Sequence, residues 1–127
     1  MKTYKKYYII PEIPEIVYQA LTNEMTIKLW TGFEAKMKPE PNTEFSLWDG
    51  NIVGKNIEFE ESKKIVQEWF FGDQKEKSIV TMKLHKHKKG TSLELEHTNI
   101  PSEDFEDMCE GWDNAYFGEI IDFYTGE

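Results

Sequence analysis

Three histidines and one cysteine are the side chains here with the widest chemical reach. His85, Lys86 and His87 form an H-x-H pattern, and His97 follows ten residues later. Three imidazoles within one hairpin would suit a zinc ion, if they converged. Strand pairing around Lys88–Gly90 keeps them apart. It sets residue 97 opposite residue 80 or 81, so His85 lies four to five residues away, roughly 13–17 Å along the strand. The pleat also turns His97 to the opposite face. No metal site is expected. His85 and His87 read as exposed residues of a lysine-rich tip.

His97 ends an apolar strand face. That position suits a general base or a hydrogen-bond partner for a ligand, but also a satisfied core histidine. Cys109 follows it in sequence, yet no third residue is evident to orient a Cys–His pair. A small buried cysteine is the default reading. No phosphate-binding glycine loop, serine nucleophile elbow or C-x-x-C occurs. No cofactor is expected.

The charge pattern narrows the partners. The chain has 127 residues and a net charge of −9. All 15 basic residues are lysines, and all lie before residue 102, where 15 acids balance them. Residues 102–127 hold the other 9 acids and no base. With no basic stripe, nucleic acid is not an expected partner. Lys83, Lys86, Lys88 and Lys89 make only a small cluster. The absence of arginine removes bidentate recognition of carboxylates and phosphates. The N-terminal apolar run is too short for a signal-peptide core or a membrane span. One cysteine cannot form an internal disulfide. The chain is expected to be soluble, cytoplasmic and free of membrane contact.

Hydrophobic periodicity supplies the elements that must position these groups. Residues 3–10 read as a strand. "PEIPEIVYQALTN" becomes a helix with Pro14 in its first turn and Ile16, Val17, Ala20 and Leu21 on one face. "EMTIKLWTG" reads as a second short helix with Met25, Leu29 and Trp30 inward, stopping at Gly32. The period then drops to two. Strands are expected at 34–38, 43–48, 52–60, 64–71, 77–87 and 91–99, joined by short turns that include Asp49-Gly50. Their faces group Phe45 with Leu47, Val53 with Ile57 and Phe59, Val80 with Met82 and Leu84, and Leu93 with Leu95 and His97. Gln67 and Trp69 are placed inward because burying Glu68 would cost more. Trp48 then falls on the outer face, a hint of a dimer contact. Residues 100–124 read as one long helical stretch with Ser102 as N-cap. Its apolar stripe is Phe105, Met108, Cys109, Trp112, Tyr116, Ile120 and Phe123. Gly111 and Gly118 are expected where it packs closely on the sheet.

Several stretches together resemble the START-like superfamily (SRPBCC, helix-grip), in its AHSA-type branch. They are "IPEIPEIVYQALTN…IKLWTG", "FSLWDGNIVGKNIEFEESKKIVQEW", "SIVTMKLHKHKKGTSLELEHTNIP" and "GWDNAYFGEIIDFY". That branch is named for the C-terminal domain of the activator of the heat-shock-protein-90 ATPase. The resemblance implies one domain over 1–127 with an α+β helix-grip fold. A curled six- to seven-stranded antiparallel sheet would wrap around a long C-terminal helix, with two short helices after the first strand. It further implies an apolar cavity between sheet and helix. Trp30, Phe45, Leu47, Ile57, Phe59, Trp69, Met82, Leu84, Leu95, His97, Met108, Trp112 and Tyr116 would line it. The first functional expectation is binding of an apolar or amphipathic small molecule there. The alternative is a chaperone-associated, ATPase-activator-like interaction domain. A third is a cyclase-like or hydrolase-like enzyme using His97. A monomer or a homodimer fits each of them.

Overall fold

The strands of the sheet lie in the order β1-β6-β5-β4-β3-β2, every neighbouring pair antiparallel. The structure is a computed structural model and describes residues 1–72 and 74–126. In chain order the elements are β1 (Lys2–Ile10), α1 (Pro14–Thr22), α2 (Glu24–Thr31), β2 (Glu44–Leu47), β3 (Ile52–Glu60), β4 (Lys64–Trp69), β5 (Ser78–His87) and β6 (Gly90–Ile100). The C-terminal helical segment follows. It is a 3-10 turn (Ser102–Asp104), α3 (Phe105–Glu110), a π-helical turn (Gly111–Tyr116) and α4 (Phe117–Thr125). The curled sheet grips this segment, so the fold is the α+β helix-grip arrangement with six strands among the described residues. No helix among them is long and apolar enough to cross a membrane.

The segment 34–38 is not a strand. It contributes one isolated bridge, Lys36 to Ser46, beside the sheet edge. Pro39 and Pro41 follow it and cannot donate to a ladder. The helix α2 is also rotated from expectation. Met25 and Leu29 are 69% and 66% exposed, whereas Ile27 and Trp30 are buried. The cause is local. Asn23 ends α1 and also caps α2, its Oδ1 accepting from the Thr26 amide at 3.1 Å. Trp30 Nε1 donates to the Ala20 carbonyl at 2.8 Å. These bonds pin the rotation of α2 against the end of α1.

The period-two reading of β4, β5 and β6 holds: Ile65, Gln67, Trp69, Val80, Met82, Leu84, Leu93, Leu95 and His97 are buried. In β3 it fails. A bulge between Asn56 and Glu58 adds one residue, Ile57, to the outer side. Beyond a bulge the facing shifts by one. Val53, before the bulge, and Ile57, at it, are both on the outer side, 40% and 38% exposed. Phe59 returns to the inner side opposite Ile65, and Asn56 takes a buried inward position opposite Gln67. Ile57 is thus removed from the inner face where the alternation had put it.

The C-terminal segment differs from one regular helix in two ways. Ser102 makes no side-chain cap; Pro101 precedes a 3-10 turn there. The π-helical turn then widens the helix by one residue. In a regular α-helix, residues five apart point about 140° away from one another. Here Trp112 and Phe117 are both buried, with Tyr116 between them. The phase shift swings Phe123 outward to 40% exposure and brings Ile121 and Tyr124 against the core.

Gly118 belongs to this turn rather than to a helix–sheet contact. A Cβ built on it would lie 2.5 Å from the Asp113 carbonyl oxygen, whereas one on Gly111 would meet nothing within 4 Å. Gly118→Ala is expected to cost about 1–3 kcal/mol by overpacking. Gly111→Ala is expected to stabilise by about 0.5–1 kcal/mol, because its backbone is already helical. Urea unfolding of both variants checks the pair. Equal effects would deny the π-turn its steric origin.

Candidate functional site

Two buried polar ladders hold two tryptophans at fixed angles between sheet and helix. In the first, Trp112 Nε1 donates to His97 Nδ1 at 3.0 Å. His97 Nε2 lies 2.8 Å from Ser78 Oγ, which donates to the Thr98 carbonyl at 3.0 Å. The single hydroxyl proton of Ser78 is used on Thr98, so the network assigns the neutral Nε2–H tautomer to His97. Burial pushes its pKa down from 6.5 to about 4. Both ring nitrogens are occupied by protein partners. His97 therefore acts on Trp112 as a positioning group, and neither of those bonds goes to Cys109.

The second ladder crosses β3 and β4. Trp69 Nε1 donates to Gln67 Oε1 at 3.0 Å, and Gln67 Nε2 donates to Asn56 Oδ1 at 3.1 Å. Asn56 Nδ2 continues to the Lys38 carbonyl and to Thr43 Oγ1, each at 3.1 Å. Trp69, Gln67 and Asn56 are buried and partnered, so the ladder fixes Trp69 without an orphaned polar atom among them.

Trp48 supplies the wall that sequence alternation placed outside. Trp48 and Asp49 take left-handed backbone angles, with φ of 51° and 54°. The chain thereby leaves the β2 alternation one residue before the expected hairpin turn. The Trp48 ring folds inward, its centroid 5.7 Å from Trp30 and 5.8 Å from Tyr116. Tyr116 lies 4.7 Å from Trp112, which lies 4.7 Å from Trp69.

Between these rings a slot of about 190 Å³ opens to solvent. Trp48, Ile52, Trp69, Met108, Trp112 and Tyr116 line it, with the Tyr116 ring against both Trp48 and Trp112. Asn51, Gly111 and Ala115 complete it. Tyr116 is 3% exposed, and its hydroxyl has no hydrogen-bond partner among the described residues. Burial raises its pKa, so the phenol stays protonated and can donate.

The expected cavity residues divide accordingly. Trp69, Met108, Trp112 and Tyr116 line the slot. Trp30, Phe45, Leu47, Met82, Leu84 and Leu95 are core side chains that do not line it, and His97 bonds to the back of Trp112. Phe59 borders a different surface groove, of about 580 Å³, with Tyr18, Met37, Glu24 and Glu61. That groove is larger, but charged side chains share its walls and the buried aromatics do not converge there. Trp48, Asn51, Ile52 and Ala115 were not expected in the slot.

Asp113 fixes the π-turn to the sheet. Its Oδ1 accepts from Tyr8 Oη at 2.7 Å, Lys6 Nζ at 2.9 Å and Tyr4 Oη at 3.0 Å. Burial works against the charge, but the bonds from Tyr8, Lys6 and Tyr4 outweigh it and hold the carboxyl below its ordinary range. Cys109 is half-buried, and burial with the Asp113 and Glu106 charges pushes its thiol upward. Such a thiol is a poor nucleophile at neutral pH. His85 sits beside Glu94 at 3.0 Å on the outer face, far along the hairpin from His97. No group of three or more metal-ligating His, Cys, Asp or Glu side chains occurs among the described residues.

A curled sheet closed on a helix by buried aromatics defines a START-like, helix-grip domain. Residues 13–122 match the family described as Activator of Hsp90 ATPase homolog 1-like protein, and the chain belongs to that family. The human activator of 90 kDa heat shock protein ATPase homolog 1 is 28% identical over 109 residues, covering 84% of this chain and 32% of the relative. The homologue from Dictyostelium discoideum is 30% identical over 102 residues, covering 78% and 27%. This chain thus spans about a third of the length of the curated relatives it matches. A crystal structure described as an HSP90 activator from Plasmodium falciparum superposes with a TM-score of 0.86 at 25% identity. It covers 98% of this chain and 96% of its own. The Aha1 dimer from Colwellia psychrerythraea shares the fold at a TM-score of 0.79 and 19% identity, covering 96% and 95%.

Proposed function

We propose that this domain contacts an Hsp90-class chaperone and raises its ATPase rate. One observation carries this reading. The Plasmodium falciparum structure, described as an HSP90 activator, has nearly the same extent as this chain. The solved chain that carries that description is matched over 96% of its length by this one. The acidic face of the C-terminal segment offers a surface for a basic partner. The test is steady-state ATP turnover of a purified Hsp90 chaperone titrated with the domain. Turnover should rise saturably, and the effect should weaken as added salt shortens the Debye length below about 8 Å. Unchanged turnover together with no complex in sedimentation would refute the reading.

A second reading rests on the slot. A site of about 190 Å³ walled by tryptophan and carrying one protonated phenol fits a small apolar or amphipathic group. It is below the roughly 300–1,000 Å³ of drug-sized ligand sites. A fragment or a single projecting group fits it better than a whole lipid. Quenching of tryptophan fluorescence by such a group would support this reading. A flat response across a fragment library would count against it.

A further inference from the structure

We propose that the slot between β4 and the C-terminal helical segment is an aromatic cage for a quaternary ammonium group. The proposal rests on the second reading, that the slot holds a small group, and names its chemistry. Four of the nine lining residues, Trp48, Trp69, Trp112 and Tyr116, are aromatic, and none of the nine is charged.

The polar edges of two of these rings are directed away from the slot. Trp69 donates its indole N–H to Gln67 and Trp112 donates its own to His97, both within the core. These two rings therefore offer π surface and no N–H donor. An anion would find no cation among the lining side chains, only neutral donors: the Tyr116 hydroxyl, the Asn51 amide and the Trp48 indole N–H. A bare ammonium would exchange its water shell for at most the Asn51 amide oxygen and the Tyr116 hydroxyl oxygen among the lining side chains, fewer acceptors than its three N–H donors need. A trimethylated ammonium carries charge but needs no hydrogen bond, and aromatic faces attract it through their quadrupoles.

The sequence around the slot is acidic. Asp107 and Glu110 precede the lining residue Gly111, Asp49 follows Trp48 and is faced by Lys28, and residues 102–127 contain no base. An excess of acids on this segment favours the approach of cations over that of fatty acids. The volume, about 190 Å³, accommodates a head group rather than an acyl chain.

The probes are choline and its neutral isostere, in which a tert-butyl group replaces trimethylammonium. Tryptophan fluorescence and calorimetry read their affinities for the intact chain. Choline should bind about tenfold tighter than the isostere, the ratio that a desolvated cation–π contact supplies. Trp48→Leu keeps apolar bulk and removes the π face at a half-buried loop position; it should remove most of that ratio. A peptide carrying trimethyllysine separates the two sources of the group. Tighter binding than choline points to a modified protein, weaker binding to a free metabolite, and both support the cage. An isostere that binds as well as choline would overturn the cage while leaving the slot reading intact. Failure of both probes would overturn the cage and the slot reading together. Choline binding untouched by Trp48→Leu would place the cation elsewhere and overturn the proposal.

Discussion

Replacing Trp112 by alanine is expected to destabilise the domain by about 3–5 kcal/mol. The side chain is almost wholly buried and contacts Trp69, Tyr116 and Phe117 at ring-centroid distances between 4.7 and 5.6 Å. Removing it deletes the contact between sheet and π-turn and strips His97 Nδ1 of its donor. The slot lies against the same ring and opens to solvent, so water can enter part of the void. The loss should therefore fall near the lower end of the range. A urea titration reads it as a lower midpoint with an unchanged slope. A loss below about 1 kcal/mol would mean that the helix is not held through this ring.

Trp112→Phe separates packing from hydrogen bonding. Phenylalanine keeps an aromatic ring but leaves His97 Nδ1 as a buried acceptor without a partner, at about 1–3 kcal/mol. Made in a His97→Leu background, the same change should cost less, because no acceptor remains to be orphaned. Equal costs in both backgrounds would remove the ladder from the account of Trp112.

The elements that formed as expected are those whose pattern is set locally. Alternation in β4 to β6 placed Gln67, Trp69 and His97 inward because no bulge interrupts those ladders. Three of the departures share one physical cause, a backbone irregularity that shifts phase by one residue. Ile57 was read inward because the β3 bulge leaves no mark on hydrophobic alternation. Trp48 was read outward because the left-handed run begins at Trp48, one residue ahead of the Asp-Gly pair that signals the turn. Phe117 was missed and Phe123 misplaced because the π-turn adds a residue that a 3.6-residue period cannot show. Gly118 was the one available signal, a glycine seven residues after Gly111 within a helical stretch. The slot itself was half legible. Its sheet and helix walls, Trp69, Met108, Trp112 and Tyr116, follow from periodicity. Its loop wall, Trp48, depends on two dihedral angles that composition does not specify.

The pH dependence of stability should carry the signature of His97. Its pKa is about 4 in the folded chain against 6.5 when exposed, and burial is the cause. The unfolded chain therefore takes up this proton first as pH falls. The contribution is fully present above pH 6.5, declines below it and is gone once pH passes below about 4. Over that window the drop corresponds to about 3 kcal/mol. The Asp113 and Glu94 carboxyls, both lowered in the fold, act in a lower window. Hydrogen bonds to Asp113 outweigh its burial, and the bond from His85 holds down Glu94. Their stabilisation is lost as pH falls through their own folded values, beneath the ordinary carboxylate range. His97→Gln isolates the histidine. Glutamine can still donate toward Ser78 and accept from Trp112, but it does not titrate. Unfolding free energies measured from pH 7 to pH 4 should fall steeply for the natural chain and only weakly for the variant. Parallel curves would mean that the imidazole reaches water before it protonates. The Ser78–His97–Trp112 ladder would then not be the sealed element that fixes the back of the slot.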